Sequence, residues 1–272
     1  MAEIVPLPAS TVVLVRDSAR GLEVLLMQRN LSSGFMAGMH LFPGGALDEA
    51  DASAGMVALC AGLDDRAASG MLGIGSGGLA YWVAAIRESF EEAGILLAYD
   101  ERGKLPSFDE PARTARLRDR RTALNGGAQD FAALLRDENL RLAADRLIYF
   151  SHWITPEGAP RRYDTRFFVA AAPTGQDVLH DNRELIDHVW VEPEVALDRQ
   201  RSGEFRMRTP TVKTLEQFAE FSSTKSLLQA MREQRDIPAM LPRIGRNGER
   251  LLPGDPGYEE AATAGGQGRW QM

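Results

Sequence analysis

Residues 79–95 read LAYWVAAIRESFEEAGI, and this stretch carries the clearest structural pattern in the chain. Apolar side chains recur every three or four residues, which places them on one face of an α-helix at 100° per residue. Gly94 follows the last of them, and glycine often ends helices because it adopts the left-handed conformation freely. We therefore predict a helix over Leu79–Ala93. The residues expected on its buried face are Trp82, Val83, Ile86, Phe90 and Ala93.

The predicted helix also carries three carboxylates, Glu88, Glu91 and Glu92, at spacings of three and four residues. Measured from Ile86, they fall at about 200°, 140° and 240° and so crowd together away from the apolar stripe. Close carboxylates repel each other, and a hard divalent cation, Mg²⁺ or Mn²⁺, would relieve that repulsion. Arg87 lies four residues before Glu91 and is placed to hold that carboxylate in one rotamer. The alternative is a solvated acidic face with an ordinary ion pair.

Five short stretches rich in β-branched and aliphatic residues predict the strands of a sheet. They are residues 11–16, 23–29, 147–153, 165–171 and 188–191. Two segments interrupt this series. Residues 46–78 are weakly patterned and predict an inserted helix and loop outside the central sheet. Residues 101–145 predict a second insertion, with two surface helices joined by a turn at residues 125–127.

The C-terminal part of the chain shows a different pattern. Residues 193–197 predict a short helix, and residues 210–235 predict one longer helix. Beyond residue 237, prolines and glycines interrupt every pattern and predict an irregular tail. We therefore expect a main domain over residues 1–200 and a helical extension with an irregular tail over residues 201–272.

The overall composition is that of a folded globular protein. The 272 residues are 44% hydrophobic and 25% charged, with a formal net charge of −7. Such a charge argues against a general nucleic-acid or anionic-membrane surface, because phosphate backbones require a basic footprint. The single cysteine, Cys60, excludes an intramolecular disulfide and a multi-thiolate zinc site, and we expect it to be a buried thiol. The chain shows neither a secretory signal nor a long apolar run, so we expect a cytoplasmic enzyme.

The acidic helix also carries a family motif. Arg87-Glu88-x-x-Glu91-Glu92-x-Gly94 resembles the second half of the Nudix box, the signature of hydrolases that cleave a nucleoside diphosphate linked to another moiety. Phe42-Pro43-Gly44-Gly45 resembles its upstream half. Counted from Gly45, an uninterrupted box would place the arginine at position 59, so about 28 residues are inserted. Asp51 occupies the position of the box's first glutamate, with Asp48 and Glu49 nearby.

An interrupted box is characteristic of the Nudix type 19 group, the coenzyme A diphosphatases of animal peroxisomes and their bacterial relatives. A second motif resembles the coenzyme A signature of Nudix enzymes. It consists of Leu25-Leu26, Arg29, Gly38 and the Phe42–Gly45 segment at matching spacing. Met27, Asn30 and Gly34 depart from that signature, and Gly34 stands where the family has an arginine.

The resemblance implies a Nudix α/β/α sandwich, with residues 1–200 as the Nudix hydrolase domain. It implies that Mg²⁺ or Mn²⁺, held by Glu88, Glu91, Glu92 and Gly45, assists the attack of water on a pyrophosphate. For coenzyme A or acyl-coenzyme A, the products would be adenosine 3′,5′-bisphosphate and (acyl-)4′-phosphopantetheine. The alternatives are a Nudix hydrolase of ADP-ribose, NADH or another nucleotide, and a catalytically silent nucleotide sensor.

Further residues are candidates for the same site. Glycine permits close backbone approach to phosphate or metal, which makes Gly44 and Gly45 candidate substrate contacts. The adjacent Phe42 is a candidate substrate contact as part of the same motif. Arg29 is a candidate phosphate contact, and Arg161 and Arg162 are candidate contacts to an adenine nucleotide. Glu184 stands six residues before Trp190, where Nudix enzymes often place a further acid. For these charged residues the alternative is a solvated surface position.

Overall fold

A mixed β-sheet forms the centre of the protein. The computed structural model describes residues 4–30, 38–108, 110–179, 185–245 and 247–261. The strands are β1 (Leu7–Ser18), β2 (Gly21–Arg29), β3 (His40–Leu41), β4 (Gly44–Ala46), β5 (Cys60–Ala61), β6 (Ala98–Tyr99), β7 (Arg141–Ala143), β8 (Ile148–Ile154), β9 (Tyr163–Ala171), β10 (Leu185–Val191), β11 (Ala239–Met240), β12 (Arg243–Ile244) and β13 (Arg250–Leu251).

Eight helices accompany these strands in the described part of the chain. They are α1 (Ala54–Val57), α2 (Asp65–Leu72), α3 (Leu79–Ala93), α4 (Pro111–Asn125), α5 (Phe131–Asp137), α6 (Pro193–Arg201), α7 (Thr209–Phe218) and α8 (Thr224–Glu233). Short 3-10 turns lie at Glu49–Ala52 and Ala144–Arg146. None of the helices in the described residues is long and apolar enough to cross a membrane.

The main sheet has the order β10-β2-β1-β9-β8-β11, with β3 added to β2 and β4 added to β1. β1 pairs antiparallel with β2 and parallel with β9, so the sheet is mixed. All five predicted strands are present. The Gly44-Gly45 pair, for which no strand was predicted, lies in β4, where Gly45 is opposite Ser10 of β1.

Helices cover both faces of this sheet. Because side chains alternate along a strand, β1 contributes to two cores. Val12 and Leu14 pack with α3, whereas Val13 and Val15 pack with α6, α7 and α8. The predicted α/β/α sandwich is thus confirmed.

Helix α3 has the predicted bounds, and Gly94 follows it in the left-handed conformation with φ 72°. Its N-terminal end is capped by the first insertion. The carboxylate of Asp65 in α2 accepts hydrogen bonds from the backbone N–H groups of Gly77 and Leu79, both at 3.0 Å. A negative group at this position also suits the positive end of the helix dipole.

The two insertions lie beside the main sheet. Apart from Ala46 in β4, residues 46–78 add no strand to it, as predicted. The second insertion contains two helices, α4 and α5, as predicted, and the connection between them follows Asn125. β5 from the first insertion and β7 from the second pair in a separate three-stranded sheet with β6. Cys60 in β5 is buried, and this burial raises the pKa of its thiol to about 11.

The C-terminal part differs from the prediction of one long helix. Residues 219–223 separate α7 from α8, because Ser223 caps α8 by accepting a hydrogen bond from Ser226 N–H at 3.2 Å. The break lets both helices pack against the sheet through Leu215, Phe218, Leu227 and Met231. Beyond residue 237, β11 extends the main sheet at β8, and β12 pairs with β13.

Candidate active site

The three glutamates of α3 are largely covered. Exposed fractions are 13% for the Glu88 side chain, 24% for the Glu91 side chain and 9% for Glu92 as a residue. The covering elements are β4 and the 3-10 turn at Glu49–Ala52, both of which contact α3. The alternative of a freely solvated acidic face is therefore wrong.

The glycine pair of β4 directly meets two of these carboxylates. The backbone N–H of Gly44 donates a hydrogen bond to Glu92 Oε2 at 2.9 Å. A Cβ atom on Gly45 would lie 2.5 Å from Glu88 Oε1, and one on Gly44 would lie 2.4 Å from Ser10 O. Neither glycine has a positive φ. Both are required for space, because a side chain at either position would collide with Glu88 or with β1.

Arg87 connects the carboxylates to the first insertion. Its Nε and Nη2 donate to Asp51 Oδ1 and Oδ2 at 3.0 and 2.9 Å. Its Nη1 donates to Glu88 Oε1 at 2.8 Å and, less closely, to Glu91 Oε2 at 3.4 Å. The predicted contact with Glu91 is thus present, but Asp51 is the principal partner. The sequence signal for Asp51 was its position six residues after Gly45.

Burial changes the acidity of these groups. It raises the pKa of Glu91 to about 7, although Arg87 acts in the opposite direction and Glu88 adds to the rise. Burial also raises the pKa of Glu88, against the lowering effect of Arg87. For Arg87, burial lowers the pKa, but hydrogen bonding to Asp51 and the charge of Glu88 outweigh this and leave it above its usual value.

Negative charge exceeds positive charge at this point. Arg87 faces Asp51, Glu88 and Glu91 within 3.4 Å and the exposed Asp48 at 3.8 Å. Within the described residues, no three His, Cys, Asp or Glu side chains are grouped closely enough to form a metal cage by themselves. An excess of carboxylate oxygens fits a hard divalent cation that completes its shell with water and substrate phosphate.

The structure places two predicted substrate contacts in structural positions. Phe42 is buried in the core on the sheet face opposite α3. The buried guanidinium of Arg162 donates to Thr155 O at 3.0 Å and Ile4 O at 2.8 Å. Both side chains thereby stabilise the fold and are not presented to a ligand.

The remaining candidates are dispersed. Arg29 ends β2 opposite Leu185 of β10 and is half-buried, and Arg161 is exposed just before β9. Glu184 lies outside the described residues. The structure therefore brings Arg87, the three glutamates and the two glycines together, with Asp51 as an addition.

Comparison with known proteins identifies the family. The protein-family model of the NUDT19 Nudix domain matches residues 64–218 of this sequence. The acyl-coenzyme A diphosphatase NUDT19 of Gallus gallus is 32% identical over 88% of this chain and 73% of that protein. The Homo sapiens protein of the same name is 30% identical over 89% and 74%. The crystal structure of a Nudix hydrolase from Alicyclobacillus acidocaldarius superposes with a TM-score of 0.70 at 27% identity, over 87% of this chain and 100% of that one. The chain thus belongs to the NUDT19 Nudix domain family and is a Nudix hydrolase.

Proposed function

We propose that the protein hydrolyses the pyrophosphate bond of coenzyme A or acyl-coenzyme A. Water would add to one phosphorus atom as the bridging P–O bond breaks, giving adenosine 3′,5′-bisphosphate and (acyl-)4′-phosphopantetheine. The observation that carries the proposal is the packing of Glu88 and Glu92 against Gly44 and Gly45. It unites the two halves of the Nudix box despite the insertion between them.

The proposed cofactor is Mg²⁺ or Mn²⁺, and Glu88, Glu91, Glu92 and the Gly45 backbone are the proposed metal-binding residues. When bound, such an ion would neutralise phosphate charge and lower the pKa of water. Arg87 is a positioning group, since its guanidinium holds Glu88 while Asp51 fixes its other edge. Covering by β4 keeps these carboxylates in a restricted geometry, which favours a defined metal site.

Two observations support coenzyme A as the substrate class. The relatives from Gallus gallus and Homo sapiens are named acyl-coenzyme A diphosphatases. In addition, the spacing from Leu25 to Gly45 matches the coenzyme A signature. We propose Arg29 and Arg161 as phosphate contacts, because guanidinium groups form charge-assisted hydrogen bonds with phosphate. Glu184 remains a proposed further acid.

Product analysis tests the proposal. The protein would be incubated with coenzyme A, acetyl-coenzyme A, ADP-ribose or NADH, each with Mg²⁺, with Mn²⁺ or with EDTA. We expect metal-dependent formation of adenosine 3′,5′-bisphosphate from coenzyme A and its acetyl ester. Faster turnover of ADP-ribose or NADH would reject coenzyme A and retain the hydrolase. Nucleotide binding without turnover of any substrate would favour the silent sensor.

A further inference from the structure

The second insertion holds the C-terminal end of α3, the end that carries Glu91 and Glu92. Arg121 of α4 donates through Nε and Nη2 to the backbone carbonyl of Glu91 at 3.0 and 2.8 Å. Its Nη2 also donates to the carbonyl of Glu92 at 2.8 Å. Asn125, one turn further along α4, donates through Nδ2 to the carbonyl of Glu91 at 3.0 Å.

These contacts satisfy carbonyls that the helix itself leaves free. The last four C=O groups of a helix have no intrahelical partner. Here the N–H groups of Gly94 and Ile95 serve the carbonyls of Phe90 and Ser89. The next two carbonyls, those of Glu91 and Glu92, accept hydrogen bonds from the guanidinium of Arg121. Its positive charge also matches the negative end of the helix dipole.

Arg121 is buried, and its helix is bonded to the end of α5. The residue is 8% exposed although it lies on a helix of an insertion. Helix α4 is anchored independently through Arg116 and Arg120, whose guanidinium groups each donate to Glu138 Oε1 at 2.8 Å. Glu138, at the C-terminal end of α5, has a side chain that is 4% exposed. These contacts hold α4 against the end of α5 in the position from which Arg121 reaches α3.

We propose that Arg121, assisted by Asn125, is a positioning residue for catalysis that fixes the last turn of α3. The contacted carbonyls belong to two of the three glutamates whose side chains form the proposed site. A displacement of this turn would therefore move Glu91 and Glu92 relative to Gly44. Because such groups work only within about 0.5 Å of their productive positions, a small displacement is sufficient to weaken metal binding. The inference rests on the proposed metal function of Glu91 and Glu92.

The test compares Mn²⁺ binding by calorimetry with substrate kinetics in the full-length protein. The variants are Arg121→Ala, Arg121→Lys and Asn125→Ala. Two controls separate positioning from general stability. Arg120→Ala removes an adjacent guanidinium that contacts α5 instead of α3, while Arg116 keeps α4 bonded to Glu138. Asp65→Ala removes the cap from the opposite end of α3.

We expect Arg121→Ala to weaken Mn²⁺ binding and lower kcat by about ten- to a hundredfold, as supporting groups around metal sites do when removed. The KM for substrate should change little. Arg121→Lys and Asn125→Ala should show smaller losses, since each keeps part of the contact set. Both controls should lower the melting temperature while retaining Mn²⁺ affinity within about twofold.

Hydrogen exchange of the peptide containing residues 91–95 provides a readout independent of metal and activity. Exchange should be faster in Arg121→Ala than in Arg120→Ala. Equal exchange, Mn²⁺ affinity and kcat in these two variants would overturn the positioning role. If Arg121→Ala does not fold, Arg121→Lys and Asn125→Ala are judged against the same controls. A wild-type protein that binds no Mn²⁺ would contradict the proposed metal function, and hydrogen exchange alone would then decide the positioning role.

Discussion

Arg87 and Asp51 form a paired ionic contact in which two guanidinium nitrogens meet two carboxylate oxygens at 3.0 and 2.9 Å. Asp51 is 1% exposed and Arg87 is 6% exposed, so the pair is shielded from solvent. It joins α3 to the start of the first insertion. The insertion therefore contributes to the site's geometry, even though it separates the two halves of the motif in sequence.

The first prediction concerns the loss of this pair. Asp51→Ala should lower the free energy of unfolding by about 3–5 kcal/mol, because it leaves the Arg87 charge buried without its main partner. Urea unfolding at pH 7 measures the change. Asp48→Ala is the matched control, since Asp48 is 68% exposed and 3.8 Å from Arg87. Because Asp48 is also the N-cap residue of the 3-10 turn at Glu49–Ala52, we expect a loss of at most about 1 kcal/mol. Equal effects of the two substitutions would contradict the role assigned to Asp51.

The second prediction concerns the proposed metal-binding carboxylates. Glu91→Gln and Glu92→Gln should each lower kcat by at least ~10²-fold, because each removes charge from the site without removing volume. Circular dichroism should show an unchanged fold. Glu216→Gln, on the exposed face of α7, should leave kcat unchanged. Near-wild-type turnover of both site variants at saturating Mg²⁺ would exclude the metal assignment.

The third prediction distinguishes the two glycines of β4. A Cβ on Gly45 meets the end of the flexible Glu88 side chain, whereas a Cβ on Gly44 meets the backbone of Ser10 and Thr11. Gly45→Ala should therefore reduce kcat by about 10²-fold, by displacing Glu88, with little loss of stability. Gly44→Ala should lower stability by about 1–3 kcal/mol, because the strand itself must move. Thermal unfolding and kcat measured on both variants test this, and the reverse order of effects would contradict it.

The sequence was sufficient for features that depend on local pattern. The period of apolar residues and Gly94 defined α3, and the motif spacing identified the residues that meet at Gly44 and Gly45. Contacts between distant segments left no such pattern. The sequence around Arg162 does not indicate that its guanidinium donates a hydrogen bond to the backbone oxygen of Ile4, which is 158 positions away. Phe42 was likewise predicted as a substrate contact. Its burial could not be foreseen, because it depends on helices that follow much later in the chain.

The fourth prediction concerns the N-terminal cap of α3 and its dependence on pH. Hydrogen bonds from the backbone N–H groups of Leu79 and Gly77 hold the pKa of Asp65 below its usual value. The ionised carboxylate is therefore favoured in the folded state, and its contribution to stability is present above the unfolded-state pKa of about 3.9. It is lost as the pH falls through the lower folded-state pKa.

Asp65→Ala should thus cost about 0.5–2 kcal/mol at pH 7, the usual effect of losing a cap. The difference from wild type should shrink as the pH is lowered below about 4. Urea unfolding of both proteins at several pH values measures it. Asp64→Ala is the comparison variant, because Asp64 caps α2 instead of α3. A difference for Asp65→Ala that persists unchanged to low pH would contradict the charge-dependent cap.

The fifth prediction concerns recognition of the 3′-phosphate. Gly34 stands where the coenzyme A signature has an arginine, so binding of the 3′-phosphate would require other cations, and Arg29 and Arg161 are the proposed ones. A charge-assisted hydrogen bond contributes roughly 1.5–3 kcal/mol, which corresponds to about ten- to a hundredfold in kcat/KM. If Arg29 contacts the 3′-phosphate, Arg29→Ala should lower kcat/KM by that factor for coenzyme A and leave it unchanged for 3′-dephospho-coenzyme A. Arg161→Ala should show the same selectivity if Arg161 is the contact, and Arg66→Ala, an exposed arginine of α2, should affect neither substrate. Equal losses on both substrates would place the arginine at the pyrophosphate instead. If the wild-type protein does not distinguish the two substrates, the 3′-phosphate does not contribute to specificity.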